Sequence, residues 1–248
     1  MMRLTLTLLA GVLVAPAVQA ANFISKAEVD IHDGDQVFRG AQIYMESCAG
    51  CHSADLMRYS RIAQDYRLTD EQLEILMRPD QDPGDTITTN MTAEYGEAVF
   101  GVAPPDLTLL PRVKGADWIY SYLTTFYEDP DARWGVNNAV YSDIGMPHVM
   151  VHQQGLLQPE YEYVERDGDT ERRLVGLNPP EQPGTRSLEE FEQDMHDLTT
   201  FMVYAAEPAA LLRAHYGPYV LAFLFIFTLV MYLLKREIWR DVHDKYHK

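Results

Sequence analysis

Cys48-Ala49-Gly50-Cys51-His52 constrains this chain more than any other stretch. Cys-x-x-Cys-His is the attachment pattern of a c-type haem: two thiols add to the vinyl groups of one porphyrin, and the adjacent imidazole ligates its iron. Other uses of the pair fit less well. Zinc would ask for two more Cys or His ligands at close spacing, and these are the only two cysteines present. A thioredoxin-like pair follows a strand in a βαβ unit. Here the lead-in, residues 35–45, reads as a helix with Asp35 as its N-cap and Val37, Ala41, Tyr44 and Cys48 on one stripe. Cys48 and Cys51, three apart, would then share a face. The expected cofactor is one covalently bound haem c, with His52 as an axial ligand in its neutral form.

Residues 1–20 read as a secretory signal that is removed. Arg3 supplies positive charge, positions 4–14 are mostly apolar, and Val18-Gln19-Ala20 offers a small-residue cleavage site. Export suits thioether attachment. A second apolar run, residues 216–234, carries no charge and as a helix spans about 28 Å, close to the hydrocarbon thickness of a bilayer. Pro218 is expected near the start of that helix, where a missing amide hydrogen costs little. Tyr216, Tyr219, Tyr232 and Trp239 suit the interfacial belts, and Lys235, Arg236, Arg240, Lys245 and Lys248 argue for a cytoplasmic C-terminus. The expected organisation is a periplasmic domain at 21–212, an inner-membrane anchor at 213–235 and a cytoplasmic tail at 236–248.

The charge balance narrows the partners. The chain holds 20 Lys+Arg against 37 Asp+Glu, a net −17, and with the signal and the basic tail set aside the domain is more acidic still. Such a domain repels phosphate, which excludes nucleic acid as a natural partner. A basic protein would be steered in by the same field.

The remaining candidates follow in chain order. In Ala103-Pro104-Pro105-Asp106-Leu107 the prolines donate no hydrogen bond, so a carbonyl there is free to accept from Nδ1–H of His52. Arg112 and Lys114 are candidates to pair with haem propionates. Trp118, Tyr122 and Phe126 fall at four-residue steps on an expected helix over 117–126. For the second axial position, Met146 sits between Gly145 and Pro147, which restrict the backbone on both sides; a soft thioether there would raise the reduction potential. Met150 is the close rival and Met91 a distant one. His148 and His152 are candidate nitrogen ligands, but both read rather as solvated surface residues. Residues 153–186 contain a surface β-hairpin turning at Asp167-Gly168. Ser187 opens a capped helix with Leu188, Phe191, Met195, Leu198, Met202 and Ala205 on one stripe, stopped by Pro208. No paired carboxylates, Ser-His-Asp set or phosphate-cradling loop stands out. The chain reads as an electron relay without catalytic residues of its own.

A haem-motif helix, a methionine loop and a final amphipathic helix resemble the class I cytochrome c arrangement. Further residues resemble the cytochrome c1 family: Arg39-Gly40, Leu56-Met57-Arg58-Tyr59-Ser60, the Ala103 to Leu107 segment, Gly145-Met146-Pro147, Ala206-Glu207-Pro208, and Lys235-Arg236-Glu237-Ile238-Trp239. The family pattern of asparagine and glycine before the proline pair is replaced by Val99-Phe100-Gly101-Val102. The resemblance implies a mainly α, class I cytochrome c-like haem domain with a small β-hairpin insertion and one C-terminal transmembrane helix. It implies a haem held between His52 and Met146. It also implies an electron taken from a Rieske iron–sulfur protein and passed to a soluble cytochrome c, beside cytochrome b in a dimeric quinol–cytochrome c reductase complex. The alternatives are an anchored haem subunit of another respiratory complex, an oxidase or a dehydrogenase, and a haem-based sensor.

Overall fold

Asp33 caps the helix that leads into the Cys48–His52 motif: its carboxylate accepts from the backbone N–H groups of Asp35 and Gln36. The cap is therefore Asp33 rather than the expected Asp35, because the helix already includes Gly34. The computed structural model describes residues 23–166 and 169–246. The signal at 1–20 and the Asp167-Gly168 turn lie outside the described residues. In chain order the helices are α1 (Gly34–Ser47), α2 (Tyr59–Tyr66), α3 (Asp70–Leu76), α4 (Ala93–Phe100), α5 (Leu110–Lys114), α6 (Ala116–Thr124), α7 (Val151–Gln154), α8 (Leu188–Ala206) and α9 (Ala210–Tyr246). Three antiparallel pairs of strands interrupt them: β1 (Ala54–Arg58) with β2 (Thr86–Ile87), β3 (Phe126–Glu128) with β4 (Val136–Asn138), and β5 (Gln158–Arg166) with β6 (Asp169–Asn178). The result is the expected mainly α domain with a hairpin insertion and one apolar C-terminal helix.

The main core forms where α1 crosses α8. Val37, Ala41, Tyr44 and Cys48 are buried as their spacing predicts, against Phe191, Met195, Leu198, Phe201 and Met202. Leu188 departs from its stripe and is exposed, since it lies in the first turn of α8, beyond the crossing. Ser187 and Glu190 make the reciprocal cap expected there. The two backbones nearly touch: a Cβ added to Gly40 would stand 1.9 Å from the Asp197 carbonyl oxygen. Beside that contact Arg39 Nε donates to the buried Asp197 carboxylate at 2.6 Å, and Tyr44 packs on Phe201 with ring centroids 5.4 Å apart.

A second, smaller cluster of Phe126, Val136 and Ile144 forms around the β3–β4 pair, with Met146 and Leu156 packed against it. Tyr122 belongs to both clusters and joins them. Phe126 is the first residue of β3 rather than the last of α6, whose end at Thr124 breaks the expected helix. The aromatic ladder survives the break: Trp118 stacks on Tyr122 at 5.2 Å, and Tyr122 meets Phe126 edge-on at 5.3 Å.

Only Glu207, Pro208 and Ala209 separate α8 from α9, and Arg213 on the first turn of α9 is ion-paired with Glu207. Leu211 still packs on the main core. From there α9 runs 37 residues without interruption, about 55 Å. Pro218 lies inside it, not at its start as expected, because the helix begins eight residues upstream at Ala210. Its ring removes one helical hydrogen bond without ending the helix. Every side chain from 218 to 240 is exposed, including Phe223, Phe225, Phe227 and Ile226. This apolar surface, found on a helix long enough to cross a bilayer, fits a membrane anchor. The expected boundaries at 212/213 and 235/236 both fall inside one continuous helix.

Candidate haem site

The motif begins where α1 stops. Cys48 is the C-cap, its N–H still bonded to the Tyr44 carbonyl, and the chain then turns sharply. Cys51 N and His52 N both donate to the Cys48 carbonyl, at 3.0 and 2.9 Å. The two thiols are thus brought together by this turn rather than by one helical face. Both are free. Cys48 is buried, and that burial, with the neighbouring Cys51, pushes its thiol up to about 12; Cys51, half-buried, is raised for the same reason. An uncharged sulfur is what such surroundings accept, and a thioether is uncharged.

His52 is held from the far side of the site. Its Nδ1–H donates to the Pro105 carbonyl at 2.8 Å, a contact between residues 53 apart in sequence. Burial lowers the imidazole's affinity for protons, opposed by the Pro105 carbonyl and by Asp106. The neutral ring with Nδ1 protonated leaves the Nε2 lone pair for a metal. Asp106 fixes the accepting segment by taking hydrogen bonds from Asp55 N at 2.7 Å and Thr108 N at 2.9 Å, while Leu107 N donates to the Ser53 carbonyl at 2.9 Å. Pro104 supports it by packing against Gly96, where an added Cβ would lie 2.5 Å from the proline ring. Thr89 closes the motif turn through the Gly50 carbonyl at 2.8 Å. Met57 and Tyr59 are buried in this region, whereas Leu56 is exposed.

Met146 stands in a loop held by polar groups that carry no sequence period. Asn137 and Asn138 on β4 are buried. The Asn137 side-chain carbonyl accepts from Asp143 N at 3.0 Å, and that of Asn138 accepts from Val140 N and Tyr141 N at 2.9 and 3.1 Å. Asn138 also donates to the Tyr122 carbonyl at 2.7 Å, tying the loop to α6. Asp143 takes a left-handed backbone conformation (φ 56°) within this frame. The Tyr122 hydroxyl donates to Met146 Sδ at 3.5 Å, leaving a second sulfur lone pair free. The rival, Met150, is buried in the main core, where it packs. Asparagines flanked by Val136 and Val140 are the signal that would have marked this scaffold in the sequence.

The two basic candidates are not brought together. Arg112 lines a groove with Ile31, His32, Glu207 and Arg213 at the root of α9. Lys114 instead lies over the rings of Trp118 and Tyr141, 5.0 and 6.0 Å from their centroids. His152 is exposed as expected. His148 is not: it is buried, stacked flat on Phe126 at 4.7 Å, and desolvation pushes its proton affinity down to about 4.

Two free thiols on one turn, an imidazole with its second nitrogen oriented and a thioether with a spare lone pair suit a thioether-linked iron porphyrin. Among the described residues no group of three or more His, Cys, Asp or Glu is placed to hold a bare ion. Comparison with known proteins agrees with this donor chemistry. The Cytochrome C1 family model matches residues 23–171 and 184–242, passing over a stretch that holds most of β6 and the loop after it. The chain is 40% identical to "Cytochrome c1" of Allochromatium vinosum, over 89% of this chain and 90% of that one. It is 36% identical to "Ammonia monooxygenase gamma subunit" of Nitrosomonas europaea, over 98% and 100%, and 26% identical to "Cytochrome c1" of Rhodospirillum rubrum, over 85% and 83%.

Proposed function

The chain belongs to the cytochrome c1 family, whose cofactor is a covalently bound haem c, and from that premise we propose that it is the electron-relay subunit of a quinol–cytochrome c reductase. The observation that carries this reading is the bond from His52 Nδ1–H to the Pro105 carbonyl, immediately after two free thiols. Cys48 and Cys51 would form the thioethers to the haem, and His52 and Met146 would hold its iron.

Bound haem supplies a one-electron ferric–ferrous couple. The residues of this chain keep that couple clean. Pro105 orients the imidazole and makes it a better donor. Tyr122 withdraws density from the sulfur, which favours the reduced state. With His52 and Met146 both holding the iron, this chain would offer a bound haem no open position for a substrate. Of the two basic candidates, Lys114, over the rings of Trp118 and Tyr141, lies beside the aromatic ladder that leads to Met146, while Arg112 lines the groove at the root of α9.

The domain faces the periplasm and the tail of α9 the cytoplasm, with cytochrome b beside the anchor. Electrons arrive from a Rieske iron–sulfur protein and leave to a soluble basic cytochrome c drawn in by the acidic surface. Purification in mild detergent tests the assembly: cytochrome b and a Rieske protein are expected with the chain, and the denatured haem spectrum is expected to be that of two thioethers. A one-thioether spectrum refutes the attachment.

The whole-length likeness to a protein named as an ammonia monooxygenase subunit favours a second reading, a haem subunit of another membrane oxidoreductase. Co-purification with an oxygenase or oxidase core and no Rieske protein would decide for it.

A further inference from the structure

Trp134 belongs to neither the donor set nor the core, yet its indole Nε1–H donates to the Gly145 carbonyl at 2.7 Å. That carbonyl is part of the peptide leading into Met146. The Trp134 ring packs on Phe100 with centroids 5.8 Å apart. The Arg133 guanidinium lies 5.4 Å from its centroid and donates to the Val99 carbonyl at 2.8 Å. Gly145 closes on the same segment: an added Cβ would stand 3.0 Å from both the Phe100 carbonyl and Val102 Cγ1. Residues 99–102, 133–134 and 145–146 therefore meet around one carbonyl group.

Among the described residues no other hydrogen bond reaches the backbone of Gly145 or Met146. The asparagine scaffold fastens the loop at residues 140, 141 and 143, and Tyr122 reaches only the sulfur. Trp134 is 38% exposed, so filling the interior does not account for its position. Soft sulfur is held less firmly by ferric than by ferrous iron, and a ligand of that kind depends on a backbone already in place.

We propose that Trp134 is a positioning residue for the Met146 sulfur, its indole N–H fixing the Gly145 carbonyl so that the thioether stays in reach of the iron when the haem is oxidised. The inference rests on the reading of Met146 as axial ligand. Any lifting of the loop that would carry the sulfur away from an iron would break the Trp134–Gly145 bond.

The test uses the full-length, haem-loaded protein in detergent. Trp134→Phe keeps an aromatic ring on Phe100 and loses the N–H; Phe100→Leu keeps the N–H and loses the stack. Imidazole is titrated into the oxidised protein, and the sulfur-to-iron charge-transfer band is followed. Trp134→Phe is expected to bind imidazole about fivefold more tightly, the equivalent of one neutral hydrogen bond lost from the closed state. Phe100→Leu is expected to stay near wild type. Wild-type imidazole affinity in Trp134→Phe overturns the proposal, as does an equal gain in both variants, which would make the ring contact the agent. Met146→Leu separates the two layers: a band that survives there refutes the ligand reading itself, while a band lost there with Trp134→Phe unchanged refutes the positioning role alone. All readouts come from haem-loaded molecules, so a variant of low yield still reports.

Discussion

The Tyr122 hydroxyl donates to the Met146 thioether across 3.5 Å, from a ring stacked on Trp118 and packed edge-on against Phe126. Burial pushes the phenol up to about 12, so it remains a donor throughout the physiological range. A hydrogen bond to sulfur weakens it as an electron donor and raises the reduction potential. Tyr122→Phe is expected to lower the midpoint on the order of 20–50 mV, from about 1 kcal/mol per neutral hydrogen bond and 59 mV per tenfold for one electron. Because the neutral phenol is favoured in the folded protein, the offset between wild type and variant should be constant with pH until pH approaches about 12. Redox titration over a pH series checks both points.

Met146→Leu removes the proposed sulfur ligand and should open the iron to carbon monoxide in the reduced protein, with loss of the charge-transfer band and a lower potential. Met150→Leu is the matched control. Its side chain lies in the core, so the spectrum should be unchanged while stability falls by less than about 1.5 kcal/mol, as volume-conserving swaps do. Exchange of these two outcomes would move the ligand to Met150.

Gly40→Ala should be poorly tolerated. The added Cβ meets the backbone of α8 at 1.9 Å, where no side chain can swing aside. Forcing the two helices apart is expected to cost about 3 kcal/mol or more, read as a fall in melting temperature of the haem-loaded protein. A melting curve matching wild type would show that α1 and α8 are not in backbone contact.

With 37 Asp+Glu against 20 Lys+Arg, capture of a basic cytochrome c should be fast at low ionic strength and slow steeply as salt rises. Stopped-flow electron transfer across a salt series measures this; a flat response would leave solubility as the role of the charge.

Periodic features were legible from residue spacing. The α1 and α8 stripes, the cap at Ser187 and the hairpin all follow rules that act over a few residues. The Pro105 contact was legible too, because proline frees carbonyls and a ligating histidine needs a partner. His148 was misread since burial of a histidine depends on which ring the fold lays against it, here Phe126. Asp33 and Asp35 are both good caps, and only the start of α1 at Gly34 chooses between them. Trp134, Asn137 and Asn138 were missed for a different reason. A strand of three residues carries no period, and the contacts that matter reach across the chain: Trp134 to the Gly145 carbonyl, Asn137 to Asp143 N, and Asn138 to the Tyr122 carbonyl.

Three residues join the last core helix to the helix that carries the apolar surface, and an ion pair bridges that elbow while Leu211 keeps it against the core. A joint with so little slack transmits the tilt of the anchor directly to the electron-carrying head. With α9 in a bilayer, the height of the haem domain over the lipid would therefore follow from the covalent chain itself.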